Sequence, residues 1–297
     1  MQSATAMPVT QQKVAELKAY NSLSRPTSAW TTIRATVVKE LRIATRYVPN
    51  LIGSLVSMGL RMVFFMLLSG AISVEDAGLP GGLLAGRDLF IFFQGALILM
   101  VFNGPTLWGP IHAVTDDLYN GTLEFLYSTP VSRYAYYVGT VLAKVLINLV
   151  LFLPLYVFIV LYSRVDIGNM LMILLACGVV LVALTAMGIM VALLALLWRQ
   201  VGSITEILGI LFEMLAGAYL PVHAFPKVVQ YVAYLMPHTW GYDLVRYYSF
   251  RGEWQTLLPV WQEWGVMVLY AIVFTLLSRY LLGKAETLAK KQGLSVI

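Results

Sequence analysis

Three histidines (His112, His223, His238), one cysteine (Cys177) and a few charges set in apolar runs are the groups of this chain that could do chemistry. No histidine stands in an H-E-x-x-H pattern, and a lone cysteine cannot supply the pair that zinc sites often use. His223, His238 and Asp243 fall in one segment, which leaves a metal site conceivable. No G-x-S-x-G elbow presents a serine nucleophile, and no G-x-x-x-x-G-K-[ST] loop cradles a phosphate. The chain is therefore expected to be non-catalytic, with no cofactor and no metal of its own. Cys177 lies inside an apolar run and reads as a small packing residue; alone, it forms no internal disulfide.

The elements that hold these groups are membrane helices. The chain is 59% hydrophobic and 12% charged over 297 residues, with a mean hydropathy of +0.78, against roughly 25% charge in a soluble domain. The net charge of +5 reads as basic residues holding cytoplasmic helix ends, not as a nucleic-acid surface. A spanning helix needs about 20 apolar residues to cross ~30 Å of hydrocarbon. Six stretches qualify: about Leu51–Ile72, Leu89–Ile111, Val138–Tyr162, Met170–Trp198, Ile204–Leu220 and Val260–Leu282. The N-terminal segment is polar and lacks the apolar core of a signal peptide. Lys13, Lys18, Arg25, Arg34, Lys39, Arg42 and Arg46 precede the first span, and Lys284, Lys290 and Lys291 follow the last. Both termini are expected in the cytoplasm of a multi-pass protein of the cell (inner) membrane.

The expected fold is all-α, in one membrane domain. Residues 1–27 form a cytoplasmic segment, 28–48 an interfacial amphipathic helix, 49–283 the six-span domain and 284–297 a cytoplasmic tail. Ser28 is a plausible N-cap for the amphipathic helix. Trp30, Ile33, Val37, Leu41 and Ala44 recur at helical spacing, with Lys39, Arg42 and Arg46 on another face. Such a helix lies in the membrane interface, as an elbow that levers the first span or as a topology anchor.

Arg61, Glu206 and Glu213 are costly in hydrocarbon and need partners or water. Arg61 and Glu213 each lie ~15 Å deep at ~1.5 Å per residue. Equal depth permits an ion pair, within one chain or across a dimer; the alternative is that Arg61 holds an anionic substrate headgroup. Glu206, near Arg199, reads as a rim residue, and Lys144 can snorkel. Phe93, Gln94, Phe102 and Asn103 in span two, with Phe212 and Met214 in span five, offer an adaptable lining for a translocation path, or ordinary helix packing. Pro105 and Pro110 in "NGPTLWGP" mark a flex point.

"DDLYNGTLEFLYSTPVSR", Asp116–Arg133, is a polar island between two spans. Thr115 can cap a helix whose first turn holds Asp116 and Asp117. Leu118, Thr122 and Phe125 lie on one side, Pro130 ends the helix and Ser132 can cap the next. A short helix over about 115–129, fixed on the cytoplasmic surface, is suited to receiving force. Between spans five and six, Pro221, Pro226 and Pro237 cut residues 221–246 into pieces too short to span. Broken backbone at that depth must be buried in protein or face water. Val228, Val229, Val232 and Leu235 could dip into the bilayer, and Trp240, Tyr242, Tyr247 and Tyr248 suit the interface.

"NGTLEFLYSTPVSR" resembles the Gly-Thr-Leu-Glu … Thr-Pro-hydrophobic-Ser-Arg segment of ABC type-2 exporter permeases, and "YLPVHAFPKVVQYVAYLMPHTWGYDLVR", Tyr219–Arg246, resembles the Pro-broken segment before their last span. The resemblance runs from about Ser28 to Leu282. It implies a coupling helix in which Asp116, Asp117, Leu118, Gly121, Thr122, Glu124, Phe125 and Pro130 meet an ATPase (nucleotide-binding) subunit. It implies re-entrant external helices in which Pro221, Phe225, Pro226, Pro237 and Trp240 gate the path from outside. It further implies a second copy of the chain or a related permease, surrounding membrane lipids, and ATP and Mg on the partner subunit only. "DDLY" departs from the family's usual Glu-Arg or Glu-Lys run. The cargo is expected to be lipophilic or lipid-linked. The competing reading is a proton-coupled secondary transporter or channel using Glu206 and Glu213; the sequence has no pseudo-symmetric halves to support it.

Overall fold

A computed structural model of the protein describes residues 28–75, 83–119, 121, 129, 131–197 and 202–292. Ten helices follow one another among the described residues. They are α1 (Ala29–Arg46), α2 (Val48–Ala71), α3 (Gly86–Asn103), α4 (Gly109–Tyr119), α5 (Arg133–Ser163), α6 (Ile167–Leu197), α7 (Gly202–Leu215), α8 (Lys227–Tyr234), α9 (Pro237–Ser249) and α10 (Val260–Gln292). A hairpin the sequence did not announce sits between α2 and α3: β1 (Ser73–Glu75) pairs antiparallel with β2 (Leu83–Ala85), Val74 opposite Leu84.

Five described helices are long and apolar enough to cross a membrane: Val48–Ala71, Gly86–Asp117, Arg133–Ser163, Ile167–Leu193 and Val260–Lys284. The expected fifth span, about Ile204–Leu220, corresponds to the 14-residue α7. That helix reaches only about 21 Å at ~1.5 Å per residue, and Gly217 turns the chain at φ +88° just beyond it. The second span is the centre of the fold. Every α3 residue from Leu89 to Asn103 is buried, with α2, α5, α6 and α9 packed around it.

Span two passes into α4 through a π-helical turn, Gly104–Trp108. The cause is Pro105, which has no N–H to give the carbonyl of Val101 one turn back. That carbonyl instead accepts from Asn148 Nδ2 of α5 at 3.0 Å. The turn lies hard against α6: a Cβ at Gly188 would stand 2.5 Å from the Leu107 carbonyl oxygen and 2.6 Å from that of Thr106. Gly188→Ala must push backbone aside, because no flexible side chain is there to give way. We expect it to destabilise the protein by about 1–3 kcal/mol, read as a lower unfolding temperature in detergent; an unchanged temperature would mean the helices slide apart without strain.

The amphipathic helix forms, and the stripe it packs against the protein is made of small residues. Thr32 and Thr36 are the buried residues of α1, and Trp30 is 70% exposed. Small side chains win here because α1 crosses α5 closely at Gly139, where a Cβ would stand 2.8 Å from Thr36 Cβ. Each threonine hydroxyl is satisfied within its own helix, Thr36 Oγ1 donating to the Thr32 carbonyl at 2.9 Å. Ile33 and Val37 flank this stripe, and Lys39, Arg42 and Arg46 are exposed. Ser28 takes the N-cap position without a side-chain bond. Ser132 caps α5 as expected, its Oγ accepting from Ala135 N at 3.3 Å.

Candidate functional site

A cavity of about 930 Å³ opens between α2, the π-helical turn, α5 and α7. Arg61 and Glu213 both line it, with Ser54 and Ser57 of α2, Asn148 of α5 and Trp108 of the turn. The two charges expected at one depth therefore do face one space. They do not close to a salt bridge of 4.0 Å or less within the chain. Glu213 Oε2 accepts instead from the Tyr219 hydroxyl at 3.3 Å, while Arg61 is exposed toward the opening. One wall is built by Trp108, which stacks on Phe212 of α7 at 6.3 Å between ring centroids. A Cβ at Gly209 would stand 3.0 Å from Trp108 Nε1, so α7 rests directly on the turn. A mixed polar and apolar lining with one cation and one carboxylate can hold an amphiphile by its head while its apolar part lies against Met58, Met100 and Ile210.

The span-two residues expected along a path lie elsewhere. Phe93, Gln94, Phe102 and Asn103 are 1–4% exposed and belong to the packing between helices of one chain. Phe93 stacks on Phe65 at 4.8 Å, Phe102 meets Phe152 edge-on at 6.0 Å, and Asn103 Nδ2 donates to the Tyr242 hydroxyl at 3.1 Å. Neither amide atom of Gln94 finds a partner. Phe212 is half-buried and Met214 exposed on α7. Asn148 and Trp108 escaped the sequence reading. Their signal was a lone Asn in the apolar run of α5 and a Pro five residues after Met100 that strands a carbonyl.

At the other end of α4 a helix beginning at Thr115 is overturned. α4 runs unbroken from Gly109 to Tyr119, and Thr115 Oγ1 donates backwards to the carbonyls of Ile111 and His112, both at 3.1 Å. Thr115 is thus interior, and Asp116 and Asp117 extend the span-two helix. Asp117 Oδ2 accepts from the Tyr136 hydroxyl of α5 at 2.9 Å, which ties this end down. Gly121, at φ +66°, stands two residues past the helix. Leu118 is in α4 with its side chain outside the described residues, as are Thr122, Glu124, Phe125 and Pro130 entirely; so is the side chain of Glu206.

On the opposite side, α8 and α9 follow a 3-10 turn, Val222–Ala224. Pro226 precedes α8 and Pro237 opens α9, as broken short helices require. Pro221, Pro237 and Trp240 are buried, Phe225 is half-buried and Pro226 exposed. Trp240 Nε1 donates to the Tyr234 carbonyl at 3.0 Å, joining α9 to α8. Val228 and Leu235 of α8 are 75% and 71% exposed.

Arg246 of α9 organises this side, and the sequence reading gave it no role. It is 2% exposed. Its Nη2 donates to the carbonyls of Gly217 at 2.8 Å and Ala218 at 3.0 Å, and its guanidinium stacks 3.6 Å from the Phe92 ring centroid. One turn earlier, Asp243 accepts from Trp254 Nε1 at 2.6 Å and Leu257 N at 2.7 Å. Glu263 at the start of α10 is buried as well, its Oε1 accepting from Leu258 N at 3.0 Å.

The suggested histidine site does not assemble. His223 is exposed in the 3-10 turn, His238 is buried in α9, and Asp243 is already occupied. Burial pushes the His238 imidazole down to about 4, so it is neutral at physiological pH. Among the described residues no three His, Cys, Asp or Glu side chains gather to hold a metal.

Compared with known proteins, residues 31–250 match the family model described as ABC-2 type transporter. No curated protein matches the chain. The matched stretch begins in α1 and ends just after α9, so it contains the cavity, the extended span-two helix and the broken helices together.

Proposed function

Since the chain belongs to the ABC-2 type transporter family, and is thus a multi-pass membrane permease component of an ABC transporter, we propose that it is the translocating half of an ATP-driven exporter. In this reading two copies face one another across the opening of the Arg61–Glu213 cavity, and each copy works with a separate ATPase subunit. α7 counts as the short fifth of six spans, both termini are cytoplasmic, and α8–α9 cap the path from outside.

The observation that carries the reading is mechanical. The helix that ends at Tyr119 is continuous, through the π-helical turn, with the wall of the cavity. Force delivered near Asp116–Gly121 therefore needs no flexible joint to reach Trp108. Single π-turns inside α-helices are frequent at functional sites, and the carbonyl freed by Pro105 is held by a side chain, Asn148, which can follow it. The cavity's mixed lining supports a lipophilic or lipid-linked cargo with a polar head.

The test is reconstitution in proteoliposomes with the partner ATPase. Transport is expected only with both proteins and ATP. Glu124→Arg, placed where the ATPase docks, is expected to lower transport tenfold or more while ATP hydrolysis persists. Transport by the permease alone would favour a proton-coupled carrier instead, and normal coupling in Glu124→Arg would remove the docking role.

A further inference from the structure

A second polar pocket lies where α5 ends, α3 and α6 begin and α9 runs out, on the membrane face that the sequence assigns to the outside. Its volume is about 220 Å³, below the ~300–1,000 Å³ of drug-sized sites. Arg87, Arg164 and Arg251 surround it with Asp88 and Glu253. Arginines are under-represented on the outer side of membrane proteins, so three at one spot call for a reason.

Part of the reason is capping. Arg87 Nη2 donates to the Tyr162 carbonyl at 3.1 Å, and Arg251 Nη2 to the carbonyls of Ser163 and Arg164 at 3.4 Å and 2.5 Å, the exposed acceptors at the α5 C-terminus. Capping does not account for Arg164. Its side chain is exposed and closes no ion pair among the described residues. Its backbone is left-handed, φ 54°, and Arg251 is too, φ 57°. Glycine is the residue that takes this conformation without strain. The chain accepts the cost at both positions and gains a guanidinium at each. None of the three arginines closes to 4.0 Å on Asp88 or Glu253. Ser163 supplies an independent sign: it lines the pocket, is 4% exposed, and its hydroxyl has no partner.

The geometry points to a headgroup site for a zwitterionic phospholipid bearing a primary ammonium. The phosphate is bound by Arg164, with Arg87, Arg251 and the Ser163 hydroxyl around it; the ammonium donates to Asp88 and Glu253. Guanidinium is suited to the phosphate half because its planar fork matches two phosphate oxygens. Two carboxylates beside it disfavour a purely anionic head, and a trimethylammonium group has no N–H to offer them. The lipid source follows from the rim. Leu161, two residues before Ser163 on α5, and Ile167, three residues after Arg164 at the start of α6, are 72% and 77% exposed and offer apolar surface for acyl chains.

Purified full-length protein in detergent is titrated with short-chain phosphatidylethanolamine, phosphatidylcholine, phosphatidylglycerol and inorganic phosphate, and binding is read by native mass spectrometry and by the unfolding temperature. Phosphatidylethanolamine is expected to bind about tenfold more tightly than the other two lipids. Arg164→Gly is expected to abolish that preference while the ligand-free unfolding temperature stays level or rises, because glycine suits the left-handed backbone. Glu253→Gln is expected to weaken phosphatidylethanolamine and leave phosphatidylglycerol unchanged, which keeps the assignment testable if Arg164→Gly misfolds. Equal binding of all three lipids, or an Arg164→Gly protein with undiminished preference, overturns the proposal. So does stabilisation by inorganic phosphate equal to that by phosphatidylethanolamine, which would make this a site for the free ion.

Discussion

Arg246→Ala is expected to yield protein that inserts in the membrane but loses its compact fold in detergent, a destabilisation of about 3 kcal/mol or more. Two carbonyls, Gly217 and Ala218, each receive a bond of 3.0 Å or less from this one side chain. A buried acceptor left without its donor costs ~1–3 kcal/mol, and the truncated side chain leaves a cavity against Phe92 as well. Arg246→Met separates the two effects, since it fills most of the volume and donates nothing. Arg246→Lys keeps the charge but loses the flat stack on the ring, 3.6 Å away. Unfolding temperatures should fall in the order Lys, Met, Ala from least to most damaged. A Met variant as stable as the parent would show that the bonds to the linker carbonyls contribute nothing and that packing alone holds α9 against α3.

That residue also marks where sequence stops informing structure. Its neighbours Trp240, Tyr242, Tyr247 and Tyr248 read as interfacial from sequence, and only the tertiary fold places Arg246 against Phe92 and the carbonyls of Gly217 and Ala218. The same limit explains the misplaced path residues. A helix that is apolar all round carries no moment to tell its lipid face from its protein face, so Phe93 and Gln94 of the central span look no different from lining residues. Five of the six expected spans and their order were legible because length and hydropathy alone define them; the sixth candidate, Ile204–Leu220, corresponds only to the 14-residue α7. Thr115 failed for a local reason. Thr-Asp-Asp has the composition of a helix start, but the hydroxyl of a threonine inside a helix finds the preceding turn's carbonyls equally well, and nothing in the adjoining sequence breaks the helix. On α1 the close approach at Gly139 selects the small threonines for packing against the protein, while Trp30 of the apolar face stays exposed.

Neutralising either cavity charge is expected to reduce transport and spare the fold. Arg61→Gln and Glu213→Gln should each lower the initial rate on the order of tenfold, with unfolding temperatures within a degree or two of the parent. Within one chain they line the same cavity but form no salt bridge, so removing one strands no buried partner, and the usual penalty for breaking a buried pair does not arise. Glu213 accepts from the Tyr219 hydroxyl, a bond that glutamine can also accept. A charge-assisted bond to a ligand is worth ~1.5–3 kcal/mol, and ~1.4 kcal/mol is tenfold, so a single lost contact to a polar head gives an effect of that size. The exchanged protein, Arg61→Glu with Glu213→Arg, distinguishes the two readings of these residues. If they bind cargo, the cation now sits on α7 rather than α2, on the wrong side of the cavity, and transport stays at or below the level of the single variants. Recovery toward the parent rate would instead require that the charges meet each other, and since they do not meet within a chain, the pair would have to form across two copies. Loss of stability in the single variants, restored by the exchange, would point the same way.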